Sequence, residues 1–233
     1  MLSALIFDFD GIIVDTEPIH YRAFQEILQP LGLGYSWTDY VSRYMGFDDR
    51  EAFREAFKAQ SKSISNDELG RMISQKASVF LEIIEKGIQP YPGVVDFIRN
   101  TAGKMPLALC SGALISDITP ILHQLGIADQ FDVVVTADDV AASKPDPTSY
   151  VLAVQRLSAA YPDSTIKPQN CLAIEDTPAG IESAKGAGIV VLAVTNSYPA
   201  EKLSGADHII DSLEEVSLKD LHKILAEGGQ KCA

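Results

Sequence analysis

Residues 4–10 read Ala-Leu-Ile-Phe-Asp-Phe-Asp, an apolar run that delivers Asp8 and Asp10 one residue apart and is followed by Gly11. In an extended strand side chains alternate, so the two acids are expected on one side, roughly 6–7 Å apart along the chain, with Phe7 and Phe9 on the other. Two carboxylates on one face repel each other. Such a pair is sustained by a cation, by a shared proton or by water, and the first two are how carboxylates do chemistry. An isolated D-x-D-G is equally compatible with two acids ending a strand at solvent, so its meaning depends on what the rest of the chain brings to the same place.

Three later segments bring chemistry-bearing residues. The apolar run 107–110 leads into Ser111-Gly112, the run 133–135 is followed by Ser143-Lys144-Pro145, and the run 171–174 leads into Glu175-Asp176-Thr177-Pro178. In open parallel sheets ligands bind beyond the carboxyl ends of the strands, so these residues are expected along one edge. Each has a plainer reading. Ser111 and the Glu175-Asp176 pair could serve the helices that follow them, and Lys144 could be an ordinary loop lysine.

The elements that must position them follow from periodicity. Helical spacing of apolar residues marks 17–31, 49–59 and 66–85, the last opened by Ser65-Asn66-Asp67-Glu68, a capping signature. Nothing in 17–88 reads as a strand, and Gln89-Pro90-Tyr91-Pro92-Gly93 then breaks the pattern. Beyond it, strands at 107–110, 133–135, 171–174, 189–194 and, more weakly, 208–210 alternate with helices near 114–125, 147–157, 178–187 and 218–227. The expected fold class is α/β, a parallel-sheet core formed by residues 1–15 and 92–233, interrupted after its first strand by an all-helical insert, 16–91. Leaving and returning near the carboxyl end of that strand, the insert is expected to act as a lid over the ligand edge.

Composition narrows the partners. The chain has 233 residues, 46% of them hydrophobic, and a net charge of -13. That charge argues against binding nucleic acid or an acidic membrane surface, and any anionic substrate needs a local cation. There is no cationic segment before the first apolar run and no stretch of 18 apolar residues, so a soluble, unexported, cytoplasmic protein is expected. Cys110, Cys171 and Cys232 show no C-x-x-C spacing and suggest neither a zinc site nor a disulfide framework.

Taken in order, Asp8-Phe9-Asp10-Gly11, Ser111, Lys144-Pro145 and Glu175-Asp176 resemble the haloacid dehalogenase superfamily of phosphotransferases, with a Rossmann-like core and an α-helical cap inserted after the first motif. Asp15-Thr16-Glu17-Pro18, His20 and Ala141-Ala142-Ser143-Lys144-Pro145 look most like its β-phosphoglucomutase and sugar-phosphate phosphatase group. The resemblance implies Asp8 as nucleophile forming an aspartyl-phosphate and Asp10 as general acid and base. It implies Mg²⁺ held by Asp8, the Asp10 backbone carbonyl and Asp176, with Glu175 in or near the coordination sphere. Ser111 and Lys144 would bind the phosphoryl oxygens, and Gly112, His20, Gly46 and Arg50 would lie near the substrate, His20 near the hinge helping to move the Asp10 proton. Independently of the name, a carboxylate attacking a phosphate ester brings two anions together and needs a cation to offset their repulsion.

The expected activity is a Mg²⁺-dependent phosphatase for a small phosphorylated metabolite such as a sugar phosphate, with mutase or inorganic pyrophosphatase activity as alternatives. Halide-releasing relatives lack a second acid such as Asp10, and no motif singles out one of Lys58, Lys62, Lys76 and Lys86 for Schiff-base chemistry. The mutases carry an arginine after a Gly-x-Ser sequence in the cap, where this chain has Gly46-Phe47-Asp48 followed by Asp49 and then Arg50. They carry Ser-Lys-Asn shortly after the second-motif serine, where it has Ala113-Leu114-Ile115. Arg43, Tyr44, Phe47 and Arg50 are the expected cap residues near the substrate. A receiver-like phosphorylation switch would place its aspartate on a later strand in a chain about half as long. A binding protein without activity would not need Asp8 and Asp10.

Overall fold

A computed structural model describes residues 1–45, 47–214 and 216–228. Its core is a six-stranded parallel sheet of β1 (Ala4–Phe7), β2 (Leu107–Cys110), β3 (Val133–Val135), β4 (Cys171–Glu175), β5 (Val190–Val194) and β6 (His208–Ile210), in the order β3-β2-β1-β4-β5-β6. The inner strands are short runs of aliphatic residues because both faces are covered: every residue of β1, β2, β4 and β5 is buried. Phe7 pairs in register with Leu109 of β2 and with Ile174 of β4, so three strand ends that precede Asp8, Ser111 and Asp176 stand side by side. From β1 the chain proceeds outward to β2 and β3, then returns to β4 on the other side. That reversal opens a crevice beyond β1 and β4.

Around the sheet lie α5 (Val94–Thr101), α6 (Ile115–Leu125), α7 (Thr148–Ala160), α8 (Pro178–Gly186) and α9 (Leu218–Gly228). Ile6, Cys110 and Ala173 pack with Tyr150, Leu157 and Ile181 in one cluster, while Phe7 turns the other way and meets Phe97 and Phe131 edge-on at 6.0 and 5.9 Å. The alternation of a strand thus divides one sequence between two cores.

The chain divides into two compact units, 1–15 with 89–233 and 16–88. In the larger unit the two points of interruption are paired: Val14 bridges Pro90, and the Tyr91 N–H donates to the Ile13 carbonyl at 2.9 Å. The smaller unit holds α1 (Glu17–Leu28), α2 (Trp37–Asp39, continuing as a π-helical turn Tyr40–Tyr44), α3 (Asp49–Ala59) and α4 (Asn66–Glu85). Phe24, Leu28, Phe53, Phe57, Leu69 and Met72 form its own core. The helix expected over 17–31 stops at Leu28 because Pro30 has no N–H to continue the ladder, and Gly32, at φ 68°, closes the turn. Asp48 and Ser65 cap α3 and α4 by accepting the Glu51 and Glu68 N–H groups at 2.8 and 3.2 Å. Among the described residues no helix is long and apolar enough to cross a membrane.

Candidate active site

Strand β1 ends at Phe7, earlier than the sequence suggests. The Asp8 N–H still donates to the Ile174 carbonyl at 3.0 Å, but the Phe9 carbonyl then collects the N–H groups of Ile12, Ile13 and Val14 at 3.3, 2.8 and 3.4 Å. The chain turns there, with Gly11 at φ 78°. Strand alternation therefore does not extend to Asp10, and the expectation that the two acids are successive same-side residues of one strand is corrected. Asp8 is buried beyond the strand, and Asp10 is half-buried within the turn.

Carboxylate oxygens of Asp8, Glu175 and Asp176 all lie within 4.8 Å of one another, and all three residues are buried. Lys144 is set against them, its Nζ 2.8 Å from Asp8 Oδ1 and 2.6 Å from Glu175 Oε1, with a further hydrogen bond to the Cys110 carbonyl at 3.1 Å. Beneath it lies Tyr150, which donates its hydroxyl to Glu175 Oε1 at 2.7 Å and places its ring 5.1 Å from the ammonium. Burial alone would lower the Lys144 pKa, yet Asp8 and Glu175 outweigh it and hold the amine above its ordinary range. Burial, then repulsion from Glu175, drives Asp8 well above the usual carboxylate range, which Lys144 offsets only in part. Asp176 is pushed up to about 7, chiefly by burial and also by Glu175, with the nearby Ser197 hydroxyl acting in the opposite sense.

Were all three acids ionised, they would leave a surplus of two negative charges against the one ammonium, and burial and mutual repulsion push Asp8 and Asp176 toward protonation instead. Both Asp176 oxygens are buried without a partner in hydrogen-bond geometry. An orphaned buried acid is costly, and a divalent cation would relieve both the surplus and the orphaned oxygens. Two glycines leave room for this cluster. A Cβ on Gly11 would lie 1.7 Å from Asp176 Oδ2, and one on Gly180 would lie 2.0 Å from the Glu175 carboxyl carbon. Gly180 lies in the first turn of α8, whose cap is Thr177, accepting the Gly180 N–H at 3.0 Å. The capping role that Glu175 or Asp176 might have had is therefore filled by Thr177.

Ser111 continues β2, its N–H donating to the Val135 carbonyl at 2.9 Å, and its Oγ accepts the Ala113 N–H at 3.0 Å. It does not cap α6, whose N-cap residue is Leu114 and offers no side-chain cap. Ser111, Gly112 and Lys144 line one small cavity of about 20 Å³. The structure thus joins Asp8, Lys144, Glu175 and Asp176 directly and sets Ser111 and Gly112 beside Lys144.

The remaining candidates belong to the smaller unit. His20 Nδ1 lies 2.9 Å from Lys76 Nζ, which also pairs with Asp49 Oδ1 at 2.8 Å, and the ring stacks on Phe80 with centroids 4.6 Å apart. Burial, reinforced by Lys76, lowers the His20 pKa to about 3. The imidazole is neutral, with Nδ1 accepting from Lys76, rather than an exposed helix-surface residue. Arg50 is exposed on α3, Arg43 approaches Glu55 at 3.8 Å, and Tyr44 is buried against Tyr35 at 4.1 Å. Gly46 lies outside the described residues.

Sequence reasoning missed Tyr150, whose helical spacing reads as core, and Lys76, which no motif marks. It also missed Asn196, whose Nδ2 donates to the Gly11 carbonyl at 2.6 Å and ties the turn after β1 to the loop after β5. Asn196 could have been found, because it follows an apolar run at the same sheet edge.

Comparison with known proteins bears on this geometry. A family model described as haloacid dehalogenase-like hydrolase matches residues 5–194. A phosphorylated carbohydrates phosphatase from Thermotoga maritima is 31% identical over 192 residues, covering 81% of this chain and 82% of that protein. The crystal structure of β-phosphoglucomutase from Clostridium difficile is similar with a TM-score of 0.76 at 26% identity, over 97% of this chain and 98% of that one. The structure of CbbY from Rhodobacter sphaeroides in complex with xylulose 1,5-bisphosphate gives 0.77 at 26% identity, over 93% and 97%.

Proposed function

The chain belongs to the haloacid dehalogenase-like hydrolases and is a phosphoric monoester hydrolase, and from that premise we propose that it hydrolyses a small phosphorylated carbohydrate through an aspartyl-phosphate on Asp8, with Mg²⁺ as cofactor. The observation that carries this is the buried cluster of Asp8, Glu175 and Asp176 facing the single ammonium of Lys144. The Thermotoga maritima relative, a phosphatase of phosphorylated carbohydrates, supports the substrate class. The same reading has the enzyme act in the cytoplasm.

In this mechanism Lys144 holds Asp8 through Oδ1 and neutralises charge on the incoming phosphoryl group, helped by the Ser111 hydroxyl. Asp8 attacks phosphorus, forming a phosphorus–oxygen bond as the bond to the sugar oxygen breaks, and Asp10 gives its proton to that oxygen. Asp10 then takes a proton from water, which attacks phosphorus and breaks the bond to Asp8, releasing inorganic phosphate. Asp8, Asp176 and the Asp10 carbonyl would hold Mg²⁺, with Glu175 in or near its coordination sphere, and the orphaned Asp176 oxygens fit that role. When bound, the ion offsets the repulsion between carboxylate and phosphate and polarises the phosphoryl group. Neutral His20, its Nδ1 committed to Lys76, is poorly suited to move the Asp10 proton.

The test is phosphate release across a panel of sugar phosphates and pyrophosphate with Mg²⁺, in the wild type and in Asp8→Asn, following isomer conversion in parallel. Release from particular esters that vanishes in Asp8→Asn supports the hydrolase. Isomer conversion with little release would replace it with a mutase.

A further inference from the structure

Asp10 stands on a turn that its own sequence holds loosely. Gly11 follows it at φ 78°, and a glycine is required there because Asp176 fills the space a Cβ would take. Glycine also has the widest backbone freedom, so the peptide groups beside Asp10 need partners to fix them. On one side the Gly11 N–H donates to the Val14 carbonyl at 2.8 Å, within the turn itself. On the other side the Gly11 carbonyl accepts from Asn196 Nδ2 at 2.6 Å, a bond between residues 185 apart in the chain. A carbonyl can only accept, so the Asn196 side chain must face it with its NH₂ group.

Asn196 is itself held from both directions. It lies two residues beyond β5, and the intervening Thr195 donates its N–H to the Ile210 carbonyl at 3.0 Å and its hydroxyl to Asp211 Oδ1 at 3.1 Å. Downstream, the short turn Ala200–Leu203 sinks the Leu203 side chain fully into the core. The next residue, Ser197, brings its hydroxyl near Asp176, so one anchored loop addresses both the Asp10 turn and Asp176. A donor on such a support is preorganised.

We propose that Asn196 is a positioning residue for Asp10: by holding the Gly11 carbonyl from the loop after β5, it fixes the turn that aims the general acid at the leaving oxygen. This deepens, and rests on, the phosphatase reading above. As Asp8 bonds to phosphorus and the bond from phosphorus to the sugar oxygen breaks, the Asp10 proton passes to that oxygen. An ester whose leaving group departs as a stable anion, such as p-nitrophenyl phosphate, needs no such proton. A misaimed Asp10 therefore slows a sugar ester far more than a nitrophenyl ester, whereas a generally loosened site slows both alike. A displacement of about 1 Å at the reacting groups costs roughly 10²-fold in rate.

Asn196→Leu keeps the approximate shape and removes the donor, and Asn196→Ala is run beside it should the first fail to fold. For each, kcat/KM with Mg²⁺ is measured on a turned-over sugar phosphate and on p-nitrophenyl phosphate, since this constant reports the steps up to departure of the leaving group. The sugar ester is expected to lose roughly 10²-fold, and the ratio of sugar to nitrophenyl ester to fall at least about 10-fold. Equal losses with the two esters, or no loss, would overturn the role. Hydrogen exchange of the backbone amides of residues 11–14 needs no turnover. It should quicken in both variants while β4 and β5 stay protected, and unchanged protection would overturn the role whichever ester the wild type accepts. Should it accept neither, the exchange comparison decides alone, and quickened exchange supports the role. Phosphate release that survives in Asp8→Asn would count against the catalytic reading itself and leaves the exchange comparison intact.

Discussion

The Tyr150 hydroxyl donates to Glu175 Oε1 at 2.7 Å, the same oxygen that Lys144 reaches at 2.6 Å, and both Tyr150 and Glu175 are wholly buried. The phenol holds Glu175 from below while the ammonium is divided between Glu175 and Asp8. Burial, then Glu175, raises the Tyr150 pKa, so it stays a donor. Tyr150→Phe keeps the ring and removes only the bond. We expect a loss of about 1.5–3 kcal/mol in stability, as for a buried hydrogen bond to a charged group, read by denaturant unfolding. Mg²⁺ half-activation should rise and kcat should fall by roughly 10-fold, as for groups that orient metal ligands. A variant that lost stability with both constants unchanged would reduce Tyr150 to packing.

Removing the cation is expected to be more damaging. Lys144→Met leaves three buried carboxylates uncompensated, and breaking a buried ion pair from one side costs about 3–5 kcal/mol. The side chain is 12% exposed, so the lower end is expected. Hydrolysis should fall by roughly 10²–10³-fold, the scale of a lost charge-stabilising donor. Chemical denaturation and steady-state kinetics on the same preparation check both values.

Asp176 makes the metal-free protein sensitive to pH. Its folded pKa of about 7 lies above the ordinary value of 3.8, so the native state binds more protons than the unfolded state between those limits. Stability from this group is therefore lost as pH rises through that window. Asp176→Asn imitates the protonated form. Without metal it should be more stable than the wild type at pH 8, and the gap should close toward pH 5. A gap that widened on acidification would contradict the assignment. Mg²⁺ binding, which needs the carboxylate, should weaken below about pH 7 and should be nearly absent in the variant, as titration calorimetry would show.

Gly11 offers a steric test. A Cβ there would fall 1.7 Å from Asp176 Oδ2, and the φ of 78° disfavours any side chain. Gly11→Ala should displace Asp176 and abolish the Mg²⁺ dependence of thermal stability while the far-ultraviolet circular dichroism stays native. Retained Mg²⁺ stabilisation would show that the turn can yield without moving the acid.

The inner strand ends were legible because a parallel sheet buries both faces: the runs that stop at Cys110, Val135 and Val194 stand out as uninterrupted apolar text, whereas the edge strand His208–Ile210, not buried, gives only a weak signal. The convergence of Asp8, Lys144, Glu175 and Asp176 followed from the rule that ligands gather at those ends. Helix α5 was not legible, since its N-cap is Gly93 with φ 75° and no side chain announces it. Helix α2 was too short for periodicity, its π-helical turn depending on the Met45 N–H reaching the Tyr40 carbonyl at 2.9 Å. The turn that carries Asp10 away from β1 is set by three N–H groups meeting at the Phe9 carbonyl, a local turn that strand alternation cannot reveal. The roles of Tyr150 and Lys76 depend on partners 25 and 56 residues distant, Glu175 and His20.

Under the proposed mechanism Asp8 becomes covalently phosphorylated. Mixing enzyme with a turned-over sugar phosphate and Mg²⁺, quenching in acid within the first turnover and mapping peptides by mass spectrometry tests it directly. A single phosphoryl group on the peptide carrying Asp8, absent from Asp8→Asn, is the expected result. Rapid hydrolysis with no adduct at any quench time, or an adduct on another residue, would contradict it.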